Sequence, residues 1–162
     1  MSLPSWLPPL ACVDEPLDEA IARLYLVFGR DFKRDGCKLY DVPVQCSMRI
    51  SAGELYEDMF WHLLSKNNQK TKVRAFDPCR AKRLSWCRAV IGHADDEAVT
   101  VWRDRVGRAV RTYLWLQEHD YVVVLERGTR EDGEFAFLTT AYCVEGNSTR
   151  SRLENSYGRR LL

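Results

Sequence analysis

The sequence predicts an α+β fold in which N-terminal helices pack on one face of a four-stranded antiparallel meander, followed by a short C-terminal helix. Three observations predict it. Apolar residues recur at helical spacing as far as Gly92. After Asp95-Asp96 the period becomes strand-like. The connections between the later strands are short, which suits antiparallel neighbours.

Residues 1–14 read as an irregular, proline-rich lead-in with no cationic start, unlike a signal peptide. Asp14-Glu15-Pro16 is a helix start signal, and Leu17, Ile21, Leu24, Tyr25 and Phe28 follow as one apolar stripe. Residues 29–36 are polar and read as a loop. Lys38 to Met48 alternates around Pro43, as an edge strand does. Ser51-Ala52-Gly53-Glu54 resembles a capping box, and the helix it opens is expected to run to Lys66 with Leu55, Met59, Phe60 and Leu63 facing inward. Residues 67–75 read as a basic linker. Asp77-Pro78 places Asp at an N-cap and Pro at N1 of a helix ending near Gly92. Four strands are expected at 99–102, 109–116, 121–127 and 134–144, and Gly146-Asn147-Ser148 opens the last helix. Residues 1–50 form an N-terminal extension packed on a domain of residues 51–162.

The chain has 162 residues and a net charge of +1, with no apolar run long enough to cross a membrane. The charge is unevenly spread. Residues 1–62 hold six basic and ten acidic groups. Residues 66–90 hold Lys66, Lys70, Lys72, Arg74, Arg80, Lys82, Arg83 and Arg88 against Asp77 alone, and the tail from Arg150 is again basic. Such a segment suits a phosphate backbone, or is a solvated face neutralised by the acidic half. Six cysteines lie at 12, 37, 46, 79, 87 and 143, without a C-x-x-C pair. They read as reduced thiols of a cytoplasmic protein, with Cys79 and Cys87 as packing residues of one helix. The three histidines are scattered, so neither a metal site nor a cofactor is expected.

Three groups carry candidate chemistry. His62 lies in Phe60-Trp61-His62-Leu63-Leu64, where apolar neighbours move an imidazole pKa and suit it to proton transfer. Such a residue is also an ordinary half-buried histidine. Arg80 and Arg83 are three apart on the expected helix, where two guanidinium groups grip one phosphate or pair with carboxylates. Thr140 and Tyr142 share one strand face and offer two hydroxyls, or plain strand propensity.

The order Phe60-x-His62-Leu63-x-Ser65-Lys66, Arg80-x-x-Arg83-Leu84-x-Trp86, Trp102, Tyr121-Val-Val-Val-Leu125, Leu138-x-Thr140-Ala141-Tyr142-x-Val144 and Arg152-Leu153 resembles phage-type members of the barnase/EndoU/colicin/RelE-like (BECR) ribonuclease superfamily. The resemblance covers roughly residues 55 to 158 and implies a RelE/barnase-like nuclease domain over 51–162. It implies a metal-independent endoribonuclease, toxin- or phage-effector-like, acting by 2′-hydroxyl attack. In that reading His62 is the general acid/base, Arg80 and Arg83 bind the scissile phosphate, and Thr140 and Tyr142 position it. Lys66, Arg74 and Arg111 are further substrate contacts. The expected partners are RNA, such as a tRNA or mRNA, and a cognate antitoxin or immunity protein, with no membrane. The alternative is a non-catalytic RNA-binding or protein-interaction module of the same fold, such as a phage accessory protein.

Overall fold

The computed structural model describes residues 2–162. Helix α1 spans Leu17–Gly29 directly after Pro16 and buries Ala20, Leu24 and Phe28. The expected loop after it is instead a π-helical turn, Arg30–Arg34, continuing the same axis. A tight reversal at Tyr40, in the left-handed region at φ 53°, joins strands β1 (Cys37–Leu39) and β2 (Val42–Gln45).

Helix α2 runs only from Asp58 to Leu64. The expected capping box is a turn: Gly53 has φ 84°, and Glu54 N–H donates to the Ser51 carbonyl. Ser51 instead donates through its N–H and Oγ to the Asp58 carboxylate, at 3.2 and 2.9 Å. Leu55, expected inside, is 82% exposed. The basic linker is a hairpin of β3 (Ser65–Asn67) and β4 (Arg74–Phe76). Asp77 accepts from the Cys79 N–H as the expected N-cap, but the expected helix is two: α3 (Pro78–Lys82) and α4 (Leu84–Gly92). Arg83, at φ −107° and ψ 16°, leaves helical geometry between them.

Strands β5 (Thr100–Val106), β6 (Ala109–Leu116), β7 (Tyr121–Arg130) and β8 (Gly133–Cys143) pair in succession, each antiparallel to the last. They are not the whole sheet. The four-stranded antiparallel expectation is corrected to a six-stranded mixed sheet of order β1-β2-β8-β7-β6-β5. Strand β2 joins β8 in parallel, with Val44 opposite Ala136 and Gln45 opposite Phe137. Short loops specify neighbours that follow each other in sequence. A parallel pair joined across about ninety residues leaves no such local signal.

Helices α1 to α4 cover one face of the sheet. There Leu24, Phe28, Phe60, Leu64, Leu84, Val90 and Ile91 pack with Leu114, Val123, Leu125, Leu138 and Ala141. The other face carries Trp102, Trp115, Val122 and Val124, which pack with Leu153 of the final helix α5 (Gly146–Gly158). Buried bonds dock α5: Trp102 Nε1 donates to Ser156 Oγ at 2.9 Å, and Ser156 Oγ and Arg159 Nε both donate to the buried Asp104. The first fifty residues share the main core through Leu7, Leu24, Phe28, Leu39 and Val44.

Two features of β8 place the site. Strand β2 pairs only with its first half, so the edge after Phe137 is left to α2 and α3. The register also slips between Val124 and Leu125: Val124 faces Thr140, and Leu125 faces Leu138. Thr139 is therefore an extra, bulged residue. Leu138 and Ala141 are three apart, yet both are buried in the main core. The bulge allows this and turns Thr140 and Tyr142 to the α5 side, the way bulges re-aim side chains beside functional sites.

Candidate functional site

Between the α5 side of the sheet and the C-terminal end of α2 lies a cleft of about 620 Å³. Thr140, Tyr142, Arg111 and Tyr113 come from the sheet; Arg152 and Ser156 come from α5, and Arg159 is the residue that ends it. His62, Lys66, Arg74 and Arg80 complete the wall.

His62 ends up here because α2 terminates two residues later, at Leu64, against the free edge of β8. Its Nε2 lies 2.9 Å from Thr140 Oγ1. That contact fixes the ring's orientation, which a proton-transfer group requires. Burial, with Arg74 and Arg80 close by, pushes the His62 pKa down from 6.5 to about 4. The ring is thus neutral at pH 7 and presents a lone pair. An NMR titration of the imidazole is expected to show a midpoint near 4 in the free protein. Adding inorganic phosphate is expected to move it upward, because an anion in the cleft offsets the two guanidinium charges. A midpoint near 6.5 that phosphate leaves unmoved would contradict this environment.

Arg74 and Arg80 have a structural task as well. Arg80 Nη1 donates to the Ser65 carbonyl at 2.6 Å and to the His62 carbonyl at 3.3 Å. Arg74 Nη2 donates to the same two carbonyls, at 2.8 and 3.2 Å, and its Nε donates to Ser65 Oγ. Together they cap the C-terminal end of α2, where cations are favoured, and hold the His62 backbone. A guanidinium carries five N–H groups, so Arg80 keeps donors beyond those on Nη1. Its Cζ lies 5.9 Å from the centre of the Tyr142 ring. Burial raises the Tyr142 pKa, so the phenol stays protonated and able to donate.

The cleft is cationic even after its ion pairs are counted. Lys66 meets Glu145 at 3.0 Å, Arg111 meets Glu126 at 3.2 Å, Arg159 meets Asp104 at 2.9 Å, and Arg80 Nε lies 3.7 Å from the Asp77 carboxylate. Neither Arg74 nor Arg152 has a carboxylate partner among the described residues.

His62, Arg80, Thr140, Tyr142, Lys66, Arg74 and Arg111 all line this cleft; Arg83 does not. The chain leaves helical geometry at Arg83, so the i, i+3 relation to Arg80 no longer puts both side chains on one face. Arg83 packs over Trp86 instead, with its Cζ 5.0 Å from the ring centre. Sequence reasoning assigned no site role to Arg152, Arg159 or Tyr113. The helical spacing of Thr149, Arg152, Ser156 and Arg159 marks one polar face of α5 and was the available signal. The reduced-thiol expectation also changes: Cys79 and Cys143 form a disulfide, with Cα atoms 6.4 Å apart, and Cys12, Cys37, Cys46 and Cys87 are free.

No protein-family model matches the chain, and no curated protein or solved structure was found to be similar to it. No group of three or more His, Cys, Asp or Glu residues is placed to hold a metal ion among the described residues. No helix there is long and apolar enough to cross a membrane. A second cavity of about 610 Å³ also touches His62 and Arg74, and its other walls include Leu17, Ile21, Trp61 and Phe76.

Proposed function

We propose that this chain is an endoribonuclease that cleaves RNA by attack of the ribose 2′-hydroxyl on the adjacent phosphate. One observation carries the reading: a neutral imidazole, oriented at 2.9 Å by the Thr140 hydroxyl, sits in a cleft crowded with arginines. His62 takes the 2′-hydroxyl proton as the 2′-oxygen bonds to phosphorus. The bond to the 5′-oxygen breaks and leaves a 2′,3′-cyclic phosphate. His62 returns a proton to the departing oxygen, a step helped because bound phosphate raises the imidazole pKa. Arg74, Arg80 and Arg152 face the charge that grows on the phosphoryl oxygens. Tyr142 and Thr140 position the group. The chemistry uses no metal, and DNA lacks the attacking hydroxyl.

The test is incubation of the folded protein with RNA and with matched DNA in EDTA. Cleaved RNA bearing 2′,3′-cyclic phosphate ends, with the DNA intact, is the expected result. RNA that binds but stays whole would leave the cleft as an RNA-holding surface. RNA that neither binds nor breaks would remove RNA as the ligand.

A further inference from the structure

Arg83, outside the cleft, has a different neighbour. Its Nη1 donates to the Cys79 carbonyl at 3.1 Å and lies 3.2 Å from Cys79 Sγ. Cys79 is bonded to Cys143, 64 residues further along the chain. Cys143 is the last residue of β8 and lines the cleft. Both half-cystines adjoin site residues, since Arg80 follows Cys79 and Tyr142 precedes Cys143. The bond therefore ties the start of α3 to the end of β8, next to the group that holds the His62 backbone.

The two sulfurs are not equivalent. A guanidinium beside a cysteine sulfur stabilises its thiolate. In thiol–disulfide exchange the sulfur with the lower thiol pKa leaves faster. Cys79 has that cation, whereas Cys143 has the opening onto the cleft. Of the free thiols, Cys46 and Cys87 are buried and Cys37 is half-buried. Burial pushes Cys46 up to about 11 and Cys37 up to about 12, and raises Cys87 as well.

We propose that Cys79–Cys143 is a redox-active pair, opened from the cleft by a thiol reductant, whose state sets how firmly Arg80 holds the candidate site. A reductant thiolate attacks Cys143 Sγ and forms a mixed disulfide there. The Cys79–Cys143 bond breaks, and its electron pair leaves on Cys79 as a thiolate beside Arg83. With a dithiol reductant, the second thiol loses its proton and attacks the mixed disulfide. That step releases the Cys143 thiolate and the oxidised dithiol, so two electrons pass to the protein. With the tie open, α3 is released from the end of β8, and Arg80 is no longer clamped between Tyr142 and the His62 carbonyl. Arg83 is thus a positioning residue for sulfur chemistry. The effect on RNA cleavage rests on the proposed function; the exchange chemistry does not.

The folded, full-length protein is treated with reduced glutathione, quenched with iodoacetamide and mapped by peptide mass. The expected result is glutathione on Cys143 and alkylation on Cys79. Glutathione on Cys79, or no opening without denaturant, overturns the proposal. Arg83→Gln is expected to slow opening by on the order of 10-fold, and Arg83→Lys to restore much of the rate. Equal rates in all three proteins overturn the role of Arg83, and the adduct position in the unmodified chain decides the chemistry even if a variant misfolds. RNA cleavage is then compared between oxidised and dithiothreitol-reduced protein. Reduction is expected to lower the rate about 10-fold, the scale of a misplaced catalytic geometry. Equal cleavage in both states overturns the regulatory effect. Absence of cleavage in both states defeats the nuclease reading, while adduct mapping still judges the redox pair.

Discussion

Replacing His62 with alanine is expected to lower RNA cleavage by about 10²–10⁴-fold, the usual contribution of a positioned acid–base group. The fold should survive. Arg74 and Arg80 bind the His62 carbonyl, and the ring's described hydrogen bond is the one to Thr140. Cleavage of a short synthetic RNA, with circular dichroism to verify folding, measures the effect. A variant that cleaves as fast as the parent would take His62 out of the reaction. pH supplies a second signature. In the parent, kcat/KM is expected to rise with pH through about 4, as the free imidazole loses its proton. The variant should lack that rise. Stability follows the same group. Its folded pKa, about 4, lies below the ordinary 6.5, so between those values the unfolded chain binds more protons. This residue therefore erodes stability as pH falls from 6.5 toward 4, and His62→Ala should flatten that part of the curve.

Phe60→Ala should lower the unfolding free energy by about 3–5 kcal/mol, the range for removing a fully buried aromatic ring. Phe60 is 0% exposed. Its ring lies edge-on to Tyr25 at 5.1 Å and to Tyr56 at 5.3 Å, with Phe28 and Trp61 each at 5.5 Å. Helix α2 has seven residues, too few to be stable alone. It exists because Phe60, Leu63 and Leu64 are buried in the core. The aromatic cluster thus reaches the chemistry by holding the helix that ends near His62. Urea unfolding monitored by tryptophan fluorescence gives the value. A loss below about 1 kcal/mol would show that the cluster does not anchor α2.

Much of the local structure was legible because it follows from backbone periodicity. The apolar stripe after Pro16 became α1, the Val-rich run became β7, and Asp77-Pro78 opened a helix with its carboxylate as cap. The same logic misled where a short motif imitated a start signal, as at Ser51, or where a helical pattern ran through a break, as at Arg83. In both cases neighbouring segments overrode local preference. Asp58 takes the Ser51 donors, and the chain turns at Arg83 so that α3 meets β8 while α4 meets β7.

By itself the sequence determined the α+β class, the run of strands β5 to β8, the inventory of guanidinium groups, and the common face of Thr140 and Tyr142. These depend on residues close together in the chain. Tertiary structure alone decided the parallel pairing of β2 with β8, the bulge at Thr139, the second helical layer, the Cys79–Cys143 bond and the exclusion of Arg83. It also brought two basic segments, Lys66 to Arg80 and Arg152 to Arg159, onto one cleft around His62. Such convergence is set by burial of apolar faces between distant segments, which periodicity does not encode.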